Sequence, residues 1–341
     1  MKISVCIPAY NRVEFLFPLL DSIRKQTSQP DEVVICEDVS PQREDIKNAI
    51  TQYRLQHPSF PITLHLNDEN LGYDANFRRL LECSSGDYCL FMGNDDLLQP
   101  LAIERIRKAV LENPNIGVIS RAYSWFSGEK DNIQDTVRHL DDDTLFEPGV
   151  ESIRFFYRRM GVLSGLVFKR EPCLKIAVDK YDGHLYYQMY LAGSLLKEYQ
   201  GFYLSDVQTL SRDGIEPDFG NAKNEKKKFT PGSFGYEGRV YMVKGLLDIA
   251  RDLDDDKNKM PIYNAVRSDI GNYFYPYIRD QLNLPFKVYC KMFFEFKKIG
   301  MGLHGFFILH FFIGFVFKRK GYDFIVRLIR RILGRSPRLG I

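Results

Sequence analysis

The sequence has few of the features that mark several protein classes. Its 6 cysteines are scattered over 341 residues without a C-x-x-C pair or another metal-binding spacing. We therefore expect reduced structural thiols rather than disulfides or zinc ligands. Glycine (25) and proline (16) are too sparse for a collagen-like or low-complexity chain. The N-terminal apolar run is too short for a secretory signal, so we expect the body of the protein to be cytosolic.

Charge is distributed unevenly along the chain. Twelve of the 47 Lys and Arg residues lie in residues 286–341, beside two acidic residues, whereas the preceding part holds more acidic than basic side chains. A basic C-terminal segment on an acidic body predicts contact with an anionic surface, either lipid or nucleic acid.

The first 125 residues alternate between strand-like and helix-like patterns. Apolar and β-branched runs predict buried strands at residues 3–9, 32–37, 62–66, 88–92 and 116–120. Helical spacing of apolar residues predicts helices at 13–25, 45–55, 73–83 and 101–111. This alternation is typical of the α/β class with a mostly parallel sheet flanked by helices, which binds ligands beyond the carboxyl ends of its strands.

The remaining chain is less regular. Residues 126–220 start with a polar, loop-rich insertion at 127–143, and strands are predicted at 162–168 and 201–210 around a helix at 185–196. Residues 213–228 are polar and rich in turn formers, which predicts a loop. Helices are predicted at 234–253 and 262–282.

Two adjacent carboxylates, Asp95 and Asp96, follow the fourth predicted strand. Hard carboxylate oxygens suit Mg²⁺ or Mn²⁺, which usually share their ligand shell with substrate phosphates. The alternative is that one of them caps a helix beginning near Leu97 or Pro100.

Further polar residues follow the second and third strands. Glu37 and Asp38 end the second strand, where a carboxylate can bind a ribose or a base, or can bond its own turn. After the third strand, Asn70-Leu71-Gly72 precedes a helix that carries Asn76, Arg78 and Arg79. Glycine allows close backbone approach, and a helix N-terminus with arginines favours a diphosphate.

Four motifs in this order resemble family 2 glycosyltransferases of the GT-A fold. The family begins with a strand of the type S-V-[IV]-P-x-Y-N, followed by an acidic turn, an N-x-G element and a strand that ends in D-x-D. The matching residues here are 3–12, 31–40, 70–72 and 86–96, with Gly93 in place of the first Asp of D-x-D. The resemblance is close over residues 1–125, looser over 126–220 and absent from the C-terminal segment.

The resemblance implies a Rossmann-like sheet and transfer of a sugar from a nucleotide-diphosphate donor with inversion. It implies that residues 1–125 form a nucleotide-sugar-binding half and residues 126–230 an acceptor-binding half of the same GT-A domain. The residues that follow predict a helical extension (231–285) and a membrane-associating tail (286–341). Asp95 and Asp96 are expected to bind Mn²⁺ or Mg²⁺. The residues expected to bind the nucleotide sugar are Pro8, Tyr10, Asn11, Arg12, Glu37, Asp38, Gly72, Asn76, Arg79 and Asn94.

Sugar transfer also needs a general base for the acceptor hydroxyl. In the family this is an acidic residue at the start of a helix, and the corresponding stretch here is residues 178–185. Asp182 is the first candidate, followed by Asp179 and His184, and the alternative is that Asp182 caps the next helix. The chain lacks the Q-x-x-R-W element expected of a processive synthase, which favours addition of one sugar.

The C-terminal segment favours lipid as its anionic partner. Residues 299–317 carry no formal charge, and 322–333 place apolar residues on one helical stripe beside arginines. Eleven of the 26 phenylalanines lie after residue 285, which favours a membrane over nucleic acid. We expect peripheral or monotopic attachment to the cytoplasmic face of the inner membrane; the alternatives are a spanning helix and a buried helix hairpin.

The leading hypothesis is a bacterial glycosyltransferase that adds one sugar to a lipid-linked oligosaccharide, as in O-antigen (lipopolysaccharide) or capsule assembly. One alternative is a sugar-phosphate nucleotidyltransferase, but Tyr10-Asn11-Arg12 replaces the glycine-rich loop expected after its first strand. The other is a non-catalytic, membrane-docked binder of nucleotide sugars.

Overall fold

The strands form where the sequence places its apolar and β-branched runs. A computed structural model describes residues 1–216, 218–226, 228–230, 235–302 and 304–332. Predictions that involve Pro217, Lys227, Phe234, Leu333, Arg335 and Arg338 therefore lie outside the described residues. In this part of the chain the strands are β1 (Ile3–Ala9), β2 (Glu32–Glu37), β3 (Ile62–Leu66), β4 (Tyr88–Phe91), β5 (Leu97–Leu98), β6 (Ile116–Phe126), β7 (Ile133–Val137), β8 (Thr144–Phe146), β9 (Leu166–Lys169) and β10 (Gln200–Arg212).

All ten described strands join one sheet, which confirms the α/β class. The order along its main path is β3-β2-β1-β4-β9-β6-β10-β5, with β7 on β6 and β8 on β10. The pairs among β3, β2, β1 and β4 are parallel, as is β6 with β10. The other pairs are antiparallel. A mostly parallel sheet is therefore correct for the first half, whereas the second half is mixed because β9 lies between β4 and β6.

Helices surround the sheet and connect most of its strands. The described α-helices are α1 (Leu16–Arg24), α2 (Arg43–Gln56), α3 (Tyr73–Cys83), α4 (Ala102–Glu112), α5 (Val150–Arg159), α6 (Arg170–Ile176), α7 (Tyr187–Leu195), α8 (Tyr236–Leu253), α9 (Pro261–Asn272), α10 (Tyr275–Ile278), α11 (Phe286–Phe296) and α12 (Gly305–Ile332). Short 3-10 helices cover Val13–Phe15 and Arg279–Gln281, and a π-helix covers Lys297–Met301.

Alternation of side chains along the central strands divides the core into two layers. Val5, Val33 and Leu90 pack with α1, α2 and α4 on one face of the sheet. Cys6 and Phe91 pack on the other face with α3, α5, α7 and the C-terminal helices. Because neighbouring residues of a strand point to opposite faces, both faces must be apolar, which explains the nearly continuous apolar runs.

Several elements differ from the sequence predictions. The insertion at 127–143 contains strand β7, which pairs with the edge of β6. The strand predicted at 162–168 starts only at Leu166, because Gly165 has a positive φ of 87°. Residues 170–176 form helix α6, which no pattern indicated. The helix predicted at 262–282 ends at Asn272 and is followed by the short α10 and a 3-10 turn.

The C-terminal helices α11 and α12 pack against the body of the protein on one side only. Phe296, Phe307 and Phe311 are buried around Phe274 in the second core layer. The opposite side exposes large apolar residues, including Phe312, 64% exposed, and Phe324, 67% exposed. Helix α12 bends at Lys318, whose φ is 53°. Among the described helices, none combines the length and the apolar character needed to cross a bilayer.

Candidate active site

The carboxyl ends of β1, β2 and β4 open into one cavity of about 660 Å³. Parallel strands bring such ends to the same edge of a sheet, so residues distant in sequence meet there. The structure brings together nine of the predicted binding and metal residues in its wall: Pro8, Tyr10, Arg12, Asp38, Gly72, Asn76, Asn94, Asp95 and Asp96.

Asp38 organises the loop that follows β3. Its Oδ1 accepts hydrogen bonds from Asn67 Nδ2 and Leu71 N, and its Oδ2 accepts one from Gly72 N, all at 2.8 Å. Burial raises the pKa of Asp38, although these three hydrogen bonds favour the charged form. Asn76 continues the network, because its Oδ1 accepts from Asn67 Nδ2 at 3.0 Å. The acidic turn and the N-x-G element therefore form a single structural unit.

Asn94 and Arg12 join the tips of β4 and β1. Asn94 Nδ2 donates to the carbonyl oxygen of Asn11 at 2.9 Å, and Arg12 Nη1 donates to Asp95 Oδ2 at 2.8 Å. Asn11 and Arg12 both have positive φ values, 54° and 64°. This turn directs the Arg12 guanidinium across the cavity towards Asp95.

The two adjacent carboxylates have different environments. Asp96 is buried, and its oxygens accept hydrogen bonds from Ser164 Oγ at 2.5 Å and from Arg212 N at 2.8 Å. Burial and the nearby charge of Asp95 raise the pKa of Asp96 to about 7. No described residue donates a hydrogen bond to Asp95 Oδ1. Neither residue caps a helix, because α4 begins at Ala102 after Leu101.

Asp95 fits the role of a metal ligand better than Asp96 does. Mg²⁺ and Mn²⁺ at nucleotide sites often use one or two carboxylates and complete their shell with substrate phosphates and water. Asp95 Oδ1 is available in the cavity wall, whereas both Asp96 oxygens are bound within the protein. The described residues contain no group of three or more potential metal-binding side chains.

Three predicted binding residues lie outside the cavity wall. Glu37 is fully buried and bonds its own turn, through Val39 N at 3.1 Å and Ser40 N at 2.6 Å. Asn11 faces the 213–230 segment, where its Nδ2 donates to Asp218 at 3.3 Å. Arg79 points away from the cavity and pairs with Glu82 at 3.3 Å. For Glu37 the alternative of a self-bonded turn matches the structure.

The three predicted catalytic residues also lie outside the cavity wall. Asp182 forms a bidentate pair with Arg78, with distances of 2.6 and 2.8 Å. Asp179 is exposed, and its carbonyl oxygen accepts from Asp182 N. His184 Nδ1 lies 2.9 Å from the carbonyl oxygen of Tyr181, and its ring packs against Gly245 of α8. Asp182 does not cap α7 either, since that helix begins at Tyr187.

Asp74 is a structural residue that the sequence analysis missed. It is fully buried in the first turn of α3, and its two oxygens accept from Leu185 N at 2.8 Å and Tyr187 N at 2.9 Å. Burial raises the pKa of Asp74 to about 7. The side chain holds the segment before α7, whose Leu185 and Tyr186 line the cavity.

The segment after β10 closes one side of the cavity with two further carboxylates. Asp218 Oδ2 lies 3.1 Å from Arg12 Nε. Glu225 is buried and accepts from Tyr73 N at 2.8 Å and from Gly220 N at 2.7 Å, at the N-terminus of α3. Nothing in the local sequence distinguishes these residues from an ordinary polar loop, so only the structure identifies them.

The C-terminal helices supply the far end of the cavity. Arg239 of α8, Arg279 and Asp280 of the following 3-10 turn, and Arg319 of α12 all belong to its wall. Asp280 Oδ2 accepts from Arg239 Nε at 3.2 Å. This part of the site was absent from the sequence predictions, which treated the helical extension and the tail separately from the site.

Comparison with known proteins finds relatives over part of the chain. An uncharacterized glycosyltransferase of Haemophilus influenzae is 33% identical over 117 residues, which cover 34% of this chain and 37% of that protein. The abequosyltransferase RfbV of Salmonella typhimurium is 39% identical over 98 residues, 29% of each chain. The chain thus matches only 29–37% of the length of these relatives.

Solved structures match over most of the chain at low identity. TarS of S. aureus (residues 1–349), solved with UDP-GlcNAc, has a TM-score of 0.63 and 14% identity, and the match covers 94% of this chain and 91% of that one. The mannosyltransferase PcManGT of Pyrobaculum calidifontis, in complex with GDP-Man and Mn²⁺, has a TM-score of 0.52 and 15% identity, and the match covers 93% of this chain and 88% of that one. The family model described as glycosyl transferase family 2 matches residues 4–176, half of the chain. The protein therefore belongs to glycosyl transferase family 2.

Proposed function

We propose that this protein is an inverting glycosyltransferase that moves one sugar from a nucleoside-diphosphate sugar to a lipid-linked oligosaccharide. The observation that carries the proposal is the shared cavity of Asp38 and Asp95, two carboxylates from separate strand ends. Family membership and the relatives named for abequosyl transfer and amylovoran biosynthesis support a role in polysaccharide assembly.

The donor occupies the end of the cavity formed by residues 8–12, 38 and 70–76. Gly72, with a φ of 82° and no side chain, lets the 222–225 segment pack closely over this end of the cavity, because a Cβ here would lie within 3 Å of Glu225, Asn224 and Ala222. The complexes of TarS with UDP-GlcNAc and of PcManGT with GDP-Man support a nucleotide sugar as the class of donor.

Asp95 would hold Mn²⁺ or Mg²⁺ together with the diphosphate of the donor. The metal supplies stabilisation of the charge that develops on the leaving diphosphate. Arg12 orients the carboxylate of Asp95, and Ser164 holds the neighbouring carboxylate of Asp96. The complex of PcManGT with GDP-Man and Mn²⁺ supports this assignment.

Asp280 replaces Asp182 as the candidate general base. A base needs an oxygen that is free to take the proton from the acceptor hydroxyl. Both oxygens of the cavity carboxylates Asp96, Asp218 and Glu225 are occupied by contacts within the chain. Those of Asp38 hold the loop after β3. The Asp280 side chain is 38% exposed, and no described residue donates to its Oδ1.

The acceptor is presented at an anionic membrane surface, the cytoplasmic face of the inner membrane. The C-terminal apolar face consists of the exposed apolar side chains of α11 and α12: Phe286, Phe294, Phe306, Ile308, Leu309, Phe312, Phe315, Val316, Phe317, Phe324, Leu328, Ile329 and Ile332. Lys318, Arg319, Lys320, Arg327 and Arg331 are exposed on the same helix. An apolar helix face with flanking basic residues suits peripheral attachment to the headgroup layer.

Calorimetric titration with UDP, GDP, CDP and dTDP, with and without Mn²⁺, tests the donor site. We expect one nucleotide to bind at micromolar concentration and Mn²⁺ to strengthen that binding. Failure of all four nucleotides to bind would contradict the proposal. If a nucleotide sugar binds but is never transferred to membrane-extracted lipid acceptors, the protein is a binder and not a transferase.

A further inference from the structure

The far end of the cavity is strongly cationic. Arg239, Arg279 and Arg319 come from three separate elements, α8, the 3-10 turn and α12, and all three line the wall. None of them belongs to the 4–176 segment that matches the family model. The opposite end holds carboxylates, among them Asp38, Asp95 and Asp96.

The arginines outnumber the carboxylates that face them. Arg239 pairs with Asp280, and Arg279 pairs with Asp323 at 3.1 Å through both Nε and Nη2. Arg319 is exposed, and no described carboxylate lies within ion-pair distance of it. Burial and the nearby charges of Arg319 and Arg327 lower the pKa of Arg279. Crowded like charges of this kind are relieved when an anion binds.

The surroundings of Arg319 indicate what carries that anion. Phe315, Val316 and Phe317, which precede it by two to four residues, are 40–51% exposed and belong to the C-terminal apolar face. An anion at Arg319 therefore has an apolar surface on one side and the cavity on the other. A phosphate that joins an apolar chain to a sugar fits this arrangement of apolar surface, arginine and cavity. A nucleotide has no apolar chain to place on that surface.

We propose that Arg239, Arg279 and Arg319 form an anion subsite that binds the phosphate or diphosphate of the lipid-linked acceptor. The proposal rests on the glycosyl transfer proposed above and defines where its acceptor enters. The lipid chain lies along the C-terminal apolar face, the phosphate contacts the arginines, and the sugar reaches Asp280. Asp280 and Asp323 do not repel the ligand strongly, because each is already paired with an arginine.

Farnesyl diphosphate, farnesol and inorganic pyrophosphate are suitable probes for the full chain, used below micellar concentrations. Farnesol lacks only the diphosphate, and pyrophosphate lacks only the apolar chain. We expect farnesyl diphosphate to bind at least about tenfold more tightly than either, as expected when a charge-assisted contact and apolar burial combine. If farnesol binds as tightly as farnesyl diphosphate, the diphosphate contributes nothing to binding and the proposed anion subsite is wrong. If pyrophosphate binds as tightly as farnesyl diphosphate, the site binds a free anion, and the proposal of a lipid-linked ligand is wrong.

Arg319→Ala and its neighbour Lys320→Ala form a matched pair for the second measurement. Both remove one exposed charge from α12, but only Arg319 lines the cavity. We expect Arg319→Ala to lower the affinity for farnesyl diphosphate about tenfold and Arg319→Lys to retain part of that affinity. Lys320→Ala should change the affinity less than about twofold. Equal losses in the two alanine variants would show a general charge effect and contradict the proposal.

A nucleotide titration separates this proposal from the proposed function. We expect Arg319→Ala to bind the nucleoside diphosphate with Mn²⁺ as the wild type does. If its nucleotide affinity falls in parallel, the arginine serves the donor, and the acceptor subsite is wrong while glycosyl transfer stands. If the wild type binds no nucleotide but retains farnesyl diphosphate, the proposed function fails and the anion site remains.

Discussion

Arg12 Nη1 lies 2.8 Å from Asp95 Oδ2, although 83 positions separate the two residues in the sequence. The same guanidinium contacts Asp218 at 3.1 Å, so one side chain links the ends of β1 and β4 to the segment after β10. Arg12 thereby holds the proposed metal ligand in a fixed orientation while leaving its Oδ1 available. The contact explains why the tyrosine-asparagine-arginine turn after the first strand is part of the site.

Replacing Asp95 tests the proposed metal site. We expect Asp95→Asn to weaken Mn²⁺-dependent binding of the nucleoside diphosphate by about 10- to 100-fold, because an amide oxygen is a poorer ligand than a carboxylate. Metal-free nucleotide affinity should change little. Calorimetry with and without Mn²⁺ measures both, and Asp131→Asn, in an exposed turn, serves as the control. An Mn²⁺ effect that persists in Asp95→Asn would contradict the assignment.

Asp280 and Asp182 give opposite expectations for the general base. We expect Asp280→Asn to lower kcat about 100-fold or more while donor affinity is retained, since loss of a general base has effects of this size. Asp182→Asn should keep kcat within about twofold and lower the melting temperature by a few degrees, because it weakens the partly buried pair with Arg78. Steady-state kinetics and thermal unfolding of both variants decide between them. The reverse result would restore the sequence-based choice of Asp182.

The local sequence pattern predicted the parts of this site that are built from residues close together in the sequence. The strands β1, β2 and β3 have the predicted bounds, and polar residues that follow β1, β2, β3 and β4 line one cavity because parallel strands share an edge. The pattern did not distinguish Glu37 from Asp38. Glu37 bonds its own turn, whereas Asp38 lies in the cavity wall. That difference follows from the direction of each side chain at the strand end, which the local residue pattern leaves open.

The contacts that sequence reasoning missed connect segments far apart in the chain. Glu225 binds the backbone of Tyr73, and Asp280 reaches the cavity only because α8 to α12 fold back over the sheet. Asp182 was chosen for its position before a helix, but Arg78, 104 residues earlier, neutralises it outside the cavity. A single sequence carries no local signal for such pairings.

The buried Asp74 predicts a pH dependence of stability. Burial raises its pKa from 3.8 to about 7, so the folded chain holds this proton more tightly than the unfolded chain does. Its contribution to stability is therefore fully present below about pH 4, falls as the pH rises through about 7 and is constant above that. Each pKa unit corresponds to about 1.4 kcal/mol, so the loss amounts to about 4 kcal/mol at most.

Asp74→Asn isolates this contribution. The amide does not ionise, and it offers one oxygen instead of two to Leu185 N and Tyr187 N. We expect the variant to be less stable than the wild type at pH 5 and the difference in free energy of unfolding to shrink towards pH 8. Urea unfolding over this range measures the difference. Parallel stability curves for the two proteins would exclude Asp74 as the titrating group.

The C-terminal apolar face makes a prediction about membranes that is independent of catalysis. Phe312 and Phe324 are 64% and 67% exposed on α12, and Leu111, 69% exposed on α4, is a matched apolar residue in the first half of the chain. We expect Phe312→Ser combined with Phe324→Ser to reduce binding to vesicles containing anionic lipid by at least about tenfold, because each removes apolar area that would enter the headgroup layer. Leu111→Ser should leave vesicle binding unchanged. High salt should weaken the binding of the wild type to vesicles because it screens the basic residues. Vesicle sedimentation measures all three effects, and undiminished binding of the double variant would separate this face from the membrane.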